Sequence, residues 1–346
     1  MSKLHEIFQQ KINITPEMEK KAKLIYDEIA ELLEDKLSEY SPSIFSQGSF
    51  RLGTIIKPLK GDDYDLDFVC LLNINKEQIT QNGLKKLVGA VLKSKYNETI
   101  IEEKKRCWRL NFPNFHVDIL PAIPDSDIAG YDELEAEDFK KSPILIPDKE
   151  LKMWQSSNPV GYVAWFDYRK KYTVHKNIAI IEAQEDLPKQ NCDCTLQKVV
   201  KIMKYHRDRK FVNNLDNKPI SIILTTLAAQ HYNGEQDLVE ALQGIVTRIT
   251  STSSIFDTNY IPNPSNPREN FADAWEKEPK KKEAFREWLY LLEKLAKEYV
   301  LANDDESKID KVLFEHLGYA APVPVISTPY SIGTINNPPK QWFRND

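Results

Sequence analysis

The sequence predicts an α+β protein in which a lobe of strands and helices is followed by a lobe of helices, with a cleft between the two. Short apolar runs at residues 66–72, 107–112 and 116–120 indicate buried strands in the first half. After Tyr162 the apolar residues recur at helical spacing, which predicts a mostly helical second half. The chain of 346 residues is long enough to give each lobe its own core.

The first strong helical signal covers residues 15–37. Thr15 can cap this helix, and Pro16 suits its first position. A second helix is predicted at 78–95, whereas the glycine-containing stretch 41–63 is predicted to be a loop. The apolar stripe of the first helix, which predicts that it packs on the rest of the protein, consists of Met18, Ala22, Ile25, Ile29 and Leu32.

Residues 121–159 are rich in Pro and Asp and are interpreted as mostly irregular connection. In the second half, helices are predicted at residues 195–210, 219–232, 237–250, 281–301 and 307–317. Gly318 suits the end of the last of these helices. The predicted organisation is a long N-terminal helix packing on both lobes (1–40), a first lobe (41–165), a helical lobe (166–318) and an extended, proline-containing tail (319–346).

The net charge, the apolar stretches and the cysteines of the chain argue against several classes of protein. The net charge of −5 lacks the basic surplus that is typical of a duplex-DNA binder. No stretch has the length of a transmembrane helix, and the start, MSKLHEIFQQ, lacks the apolar core of a signal peptide. The four cysteines are Cys70, Cys107, Cys192 and Cys194, and no second Cys/His pair lies near the last two, so we expect no closed zinc site. We expect a cytoplasmic protein.

Three aspartates predict a magnesium site. Asp65 and Asp67 alternate along a strand, so they point to the same side, roughly 6 to 7 Å apart. Carboxylates this close repel each other unless a cation lies between them, and Mg²⁺ prefers carboxylate and phosphate oxygens. Asp118 is the only acid in an apolar strand, where a charge is unfavourable unless it is paired or liganded.

Gly48 and Ser49 supply a candidate phosphate contact upstream of these acids. Glycine lets the backbone approach a phosphate, and serine adds a hydroxyl donor. Taken singly, each motif also has an ordinary structural interpretation as a turn, a strand end or an edge strand. Their occurrence together favours a catalytic site, whereas Asp62 and Asp63 are interpreted as solvated loop acids.

The order Gly48-Ser49, Asp65-x-Asp67 and later Asp118 resembles the DNA polymerase β-type nucleotidyltransferase superfamily. The fuller strings QGSFRLGT, DYDLD and FHVDILPAIP resemble the cGAS/DncV-like nucleotidyltransferases (CD-NTases) of bacterial CBASS anti-phage systems. Two more strings fit that resemblance, NPVGYVAWF at 158–166 and IPNPSNPRENFADAW at 261–275. The resemblance implies a polymerase β-like lobe with a mixed sheet (41–165) and a C-terminal helical lobe similar to that of oligoadenylate synthase.

The resemblance also implies two-metal phosphoryl transfer with Mg²⁺ or Mn²⁺. Asp65 and Asp67 would bridge both metals, and Asp118 would bind the one nearest the attacking hydroxyl. The implied nucleotide-binding residues are Gln47, Gly48, Ser49, Lys204 and Ser221.

Several basic residues keep an alternative interpretation. Lys201 and Lys204 share a neighbouring helix face, which could equally be a solvated face. Arg106 and Arg109 could reach a phosphate or a base, or could be ordinary strand-surface arginines. His116 and His206 are interpreted as structural residues rather than metal ligands.

The resemblance implies a cyclic di- or trinucleotide synthase, with ATP and at least one other nucleoside triphosphate as candidate substrates and a product-sensing effector protein as partner. No Cys/His cluster matches the zinc insertion with which animal cyclic GMP-AMP synthase senses DNA, so DNA activation is not implied. One alternative is a nucleotidyltransferase that adds a single nucleotide to RNA, protein or a small molecule. Another is a non-catalytic nucleotide-binding scaffold.

Overall fold

The computed structural model describes residues 3–59, 63–127, 131, 134, 136–149, 152–171, 194–252 and 254–320. Most of the predicted tail (321–346), the segment 172–193 and Asp62 lie outside these described residues. Within the described ranges, no helix is both long enough and apolar enough to cross a membrane.

The N-terminal segment contacts two different cores. Helix α1 (Lys3–Ile7) and the π-helical turn Phe8–Ile12 place apolar side chains in the core of the helical lobe. Helix α2 (Pro16–Lys36) begins at the predicted cap, where the Thr15 side chain accepts a hydrogen bond from the backbone N–H of Met18. Its buried face packs on the sheet core through Ala22, Ile29 and Leu33.

Seven strands form one mixed sheet in the first lobe. Its central path runs β1-β2-β5-β4-β3, and β6 and β7 extend it from the end of β5. β2 and β5 are parallel, while the other neighbours are antiparallel. The elements are β1 (Ser43–Gln47), α3 (Gly48–Arg51), β2 (Tyr64–Leu71), α4 (Gln81–Lys95), β3 (Ile101–Glu103), β4 (Trp108–Phe112), β5 (Phe115–Pro124), β6 (Ile144–Asp148) and β7 (Met153–Ser157).

Two sequence predictions are wrong in this lobe. The stretch 41–63 contains β1 and α3 rather than loop alone. The stretch predicted as irregular at 121–159 contains the end of β5, both β6 and β7, and the start of helix α5 (Pro159–Lys171). The apolar residues of each missed strand stand next to one another and do not alternate with polar ones, so no strand period is visible among the surrounding prolines, acids and serines.

The helical lobe follows the predicted helices closely. Helix α7 starts two residues later than predicted, directly after Pro219 and Ile220. Gly318 ends the last helix in a left-handed conformation, with φ of 61°. After α5 come α6 (Thr195–Lys210), α7 (Ser221–Gln230), α8 (Leu238–Ser251), α9 (Ser254–Thr258), β8 (Pro262–Asn263), β9 (Asn266–Asn270), α10 (Ala274–Lys277), α11 (Pro279–Leu301) and α12 (Glu306–Leu317).

The hairpin of β8 and β9 fastens the helical lobe to the sheet. Asn158, before α5, donates from Nδ2 to the carbonyls of Phe139 (2.7 Å) and Ser265 (2.8 Å) and accepts from the N–H of Gly161. The Ser265 hydroxyl donates back to the Asn158 carbonyl at 3.1 Å. These bonds join the string NPVGYVAWF to the string IPNPSNPRENFADAW.

An arginine completes the same junction. Arg268 on β9 forms ion pairs with Asp125 and Asp127 beyond the end of β5, at 2.5 and 2.8 Å. It also donates to the hydroxyl of Ser156 on β7 at 2.8 Å. The junction therefore fixes the helical lobe against the strand that carries Asp118.

Asn158→Ala is expected to destabilise the protein by about 3 kcal/mol, because a buried hydrogen-bonding group left unsatisfied costs on the order of 1 kcal/mol or more. The substitution removes a partner from three backbone groups at once. Urea unfolding measures the difference. Asn75→Ala is the matched control in an exposed loop, and it is expected to change the free energy of unfolding by less than about 0.5 kcal/mol. Equal effects of the two substitutions would contradict the assigned role of Asn158.

Candidate active site

The three predicted aspartates lie on one face of the sheet. Side chains alternate along β2, so Leu66, Phe68 and Cys70 enter the core while Asp65 and Asp67 point to the other side. The parallel pairing of β2 with β5 sets Asp67 in register with Asp118. Two neighbouring strands therefore bring the acids together, although Asp118 is far from Asp65 and Asp67 in the sequence.

Gly48 lies against one of these acids. β1 pairs with β2 so that Gln47 is opposite Asp67, and α3 begins at the next residue. Gly48 has φ of 64°, and a Cβ atom added there would collide with an Asp67 carboxylate oxygen. Only glycine fits this position, both for its conformation and for the space available. Ser49 follows in α3 and lines the cavity described below.

The carboxylates of Asp65 and Asp67 are buried close to other negative charges, and the positive charge around them does not balance this. Burial is the largest cause that raises the pKa of Asp67 to about 7, and the charges of Asp118 and Asp65 add to it. Burial also raises the pKa of Asp65, against the opposing charge of Arg109. Since a divalent cation would relieve this excess of negative charge and carboxylate oxygens are the ligands Mg²⁺ prefers, the residues present fit a magnesium site.

Arg109 on β4 is in register with Asp118 and binds it with two parallel hydrogen bonds. Nε and Nη2 each donate to a different oxygen of Asp118 at 2.7 Å. Nη2 also lies 3.5 Å from an oxygen of Asp65. The sequence left Arg109 open between a substrate contact and a strand-surface residue, because the register of β4 against β5 cannot be read from the sequence alone.

The predicted lysines on α6 are buried rather than solvated. Lys204 is 3% exposed and donates from Nζ to the carbonyl (3.0 Å) and hydroxyl (3.2 Å) of Thr54, in the loop after α3. Burial lowers the pKa of Lys204 to about 7, and the charge of Arg207 contributes. Lys201 is fully buried and donates to Asn13 at 3.1 Å, towards the N-terminal segment.

Ser221 begins α7 near the same helix. Its hydroxyl accepts a hydrogen bond from Arg207 at 2.9 Å, and Arg207 also donates to the Pro219 carbonyl. Ser221 and Lys204 both line a cavity of about 720 Å³ between the two lobes. Asp65, Arg109 and Ser49 line its opposite wall. The volume lies within the range of about 300 to 1,000 Å³ that is typical of sites for small organic ligands.

Asp63 lies in an exposed loop, as the sequence predicts. Its carboxylate lies 3.1 Å from Nε2 of His116, and both residues line the cavity. His206, in contrast, is buried beside Trp288, and burial lowers its pKa to about 3, which agrees with the structural role expected of it.

Comparison with known proteins gives relatives of one kind. Residues 1–169 match the family described as the Second Messenger Oligonucleotide or Dinucleotide Synthetase domain, SMODS. A c-di-GMP synthase of Roseivirga ehrenbergii is 32% identical over 275 residues, which are 74% of this chain and 66% of that protein. A cyclic AMP-AMP-GMP synthase of Enterobacter hormaechei is 21% identical over 46% of this chain and 57% of its own length. The chain thus spans less than two thirds of either relative.

Solved structures share the whole fold. The CD-NTase CdnG of Bradyrhizobium diazoefficiens, in complex with GTP, has a TM-score of 0.68 at 20% identity over 92% of this chain and 95% of its own. Vibrio cholerae DncV, a cyclic AMP-GMP synthase in complex with a linear intermediate, has a TM-score of 0.66 at 17% identity over 93% and 95%. The fold is that of a polymerase β-type nucleotidyltransferase, as predicted. In sequence and in fold, the chain is similar to the CD-NTases of the cGAS/DncV type.

Neutralising Asp67 is expected to stabilise the protein at high pH when divalent cations are absent. Its pKa is raised from 3.8 to about 7 by folding, so its ionisation opposes folding fully above pH 7. The penalty fades as the pH falls from 7 towards 4, because the folded protein then holds a proton that the unfolded chain releases. Asp67→Asn should therefore raise Tm more at about pH 8 than at about pH 5.

Asp35→Asn is the matched control for this comparison. The Asp35 side chain is 69% exposed on α2, and its neutralisation is expected to leave Tm nearly constant at both pH values. An Asp67→Asn shift of the same size at both pH values would show that the carboxylate is not held above its ordinary pKa.

Proposed function

We propose that this chain is a cyclic oligonucleotide synthase that condenses nucleoside triphosphates and releases pyrophosphate. The observation that carries the proposal is the group of Asp65, Asp67 and Asp118 on one face of the sheet, where Asp65 lines a cavity that Lys204 and Ser221 also line. The c-di-GMP synthase that is 32% identical supports a cyclic dinucleotide as product and GTP as a substrate.

The aspartates are proposed as the metal ligands, with Mg²⁺ or Mn²⁺ as the cation. Asp65, Asp67 and Asp118 would hold the ions between them. When bound, the ions supply Lewis acidity and shield the charge of the triphosphate. The raised pKa values of Asp65 and Asp67 support this assignment, since they mark carboxylates that lack a full counter-charge.

The chain's own residues would orient and activate the nucleotides. A ribose hydroxyl attacks the α-phosphate, its proton passes to Asp118, and the bond from the α-phosphate to pyrophosphate breaks. Gly48, whose backbone lies against the Asp67 carboxylate, would let the backbone approach the triphosphate closely, and Ser49 offers a hydroxyl donor in the cavity. Lys204 and Ser221 would hold the triphosphate from α6 and α7, and phosphate binding would favour the charged form of Lys204.

The biological setting follows from the resemblance to the CD-NTases of CBASS systems. The product would act as a second messenger in anti-phage defence and would be sensed by a separate effector protein. We place the reaction in the cytoplasm, where nucleoside triphosphates are available.

The test is a reaction of the purified chain with Mg²⁺ and GTP, ATP and GTP, or all four ribonucleoside triphosphates, with and without duplex DNA. After phosphatase treatment, mass spectrometry is expected to find a resistant cyclic dinucleotide that contains guanosine, formed without DNA. Transfer only to added RNA or protein would replace the proposal with single-nucleotide transfer. Nucleotide binding without turnover would replace it with a scaffold.

Two glycine substitutions link the product to the described site. Gly48→Ala is expected to reduce product formation by about 100-fold, because a small misplacement of reacting groups has effects of this size. Gly83→Ala is the matched control in the first turn of α4, where an added Cβ finds atoms at 3.1 Å or beyond and φ is ordinary. A Gly48→Ala protein as active as Gly83→Ala would contradict the placement of the triphosphate.

A further inference from the structure

Arg109 stands in a row of side chains that crosses the sheet at the aspartates. The register of β2, β5 and β4 aligns Asp67 with Asp118 and Asp118 with Arg109. The same row continues to Glu102 on β3, whose carboxylate pairs with Lys104 at 2.6 Å. Arg109 therefore lies beside the acids because of backbone pairing, and not because of a chance orientation of a surface side chain.

The guanidinium holds both oxygens of Asp118. Its two hydrogen bonds of 2.7 Å are parallel, which is the strongest geometry available to an arginine and a carboxylate. The contact to Asp65 at 3.5 Å extends the same positive charge to a second acid. A divalent cation that binds Asp118 would meet oxygen atoms that Arg109 already contacts.

The backbone that carries Arg109 is braced against α4. The Trp108 indole donates to the Lys85 carbonyl at 2.8 Å and packs over Gly89. The Lys85 ammonium, whose side chain is 3% exposed, reaches Glu103 at 3.3 Å and donates to the carbonyls of Lys104 and Lys105 in the turn before β4. The position of Arg109 is therefore part of the fold.

The spacing of the acids agrees with this arrangement. Within the part of the chain that the structure describes, the ligand atoms of Glu298, Glu315 and His316 all lie within 4.8 Å of one another, whereas those of the three aspartates are spread more widely. Asp118 is turned to the guanidinium, and a cation shared by all three acids would have to draw their oxygens together.

We propose that Arg109 is a positioning residue that serves as an internal counter-ion: it steadies Asp118 and Asp65 before metal binds and competes with the divalent cation for the oxygens of Asp118. This inference rests on the proposed metal-dependent function and deepens it. Arg109 would then help to set the affinity of the site for a divalent metal when no nucleotide is bound. Removal of the guanidinium should lower the stability of the metal-free protein and raise its affinity for a divalent metal.

The test is Mn²⁺ binding without nucleotide, followed by the electron paramagnetic resonance signal of the free ion, together with Tm in metal-free buffer. Arg109→Gln is expected to lower Tm and to tighten Mn²⁺ binding by about fivefold or more, because a charge within ion-pair distance of a ligand is removed. Arg109→Lys keeps the charge but loses the pair of parallel hydrogen bonds, so the Mn²⁺ affinity of this variant should lie between those of the wild type and Arg109→Gln. Equal or weaker Mn²⁺ binding by both variants would overturn the proposal.

Two further variants make the outcome specific. Arg106→Gln is the matched control, because Arg106 pairs with Asp148 at 2.9 Å, and it should lower Tm while leaving Mn²⁺ affinity unchanged. Asp67→Asn tests the metal site itself. Wild-type binding that Asp67→Asn does not weaken would reject the proposed metal ligands, whereas binding that depends on Asp67 but not on Arg109 would reject the counter-ion alone.

Discussion

The repulsion between the carboxylates of Asp67 and Asp118 is the constraint on which the site depends. Parallel pairing of β2 with β5 fixes the two acids side by side, and burial denies them the screening of water. On one side Arg109 supplies positive charge by binding Asp118, and on the other side the backbone of Gly48 lies directly against the Asp67 carboxylate. A site of this kind is poised for a cation and for the phosphates that accompany it.

The second lobe matters because it supplies the far wall of the cavity and is fastened to the strand that bears Asp118. Arg268 reaches Asp125 and Asp127 beyond that strand's end, and Asn158 exchanges hydrogen bonds with Ser265. Lys204 adds a direct contact to the loop after α3. The strings NPVGYVAWF and IPNPSNPRENFADAW therefore form a junction between the helical lobe and the sheet.

The sequence predicted the long amphipathic helices, the central strands and the face shared by Asp65 and Asp67, because each follows from a local period. In the first lobe it missed β1, β3, β6 and β7, whose apolar residues are few and do not alternate with polar ones. It also left Arg109 unassigned, since its partner Asp118 is set by strand register. Register depends on pairing between distant segments, which a single sequence does not display.

The most direct measurement is anomalous diffraction from crystals soaked with Mn²⁺ and a non-hydrolysable nucleoside triphosphate. The account predicts an anomalous peak in contact with Asp65, Asp67 and Asp118, with the triphosphate beside Gly48. It would be contradicted by a peak confined to Glu298, Glu315 and His316, the group at α11 and α12 whose ligand atoms lie within 4.8 Å of one another, or by a triphosphate bound with no metal at the aspartates.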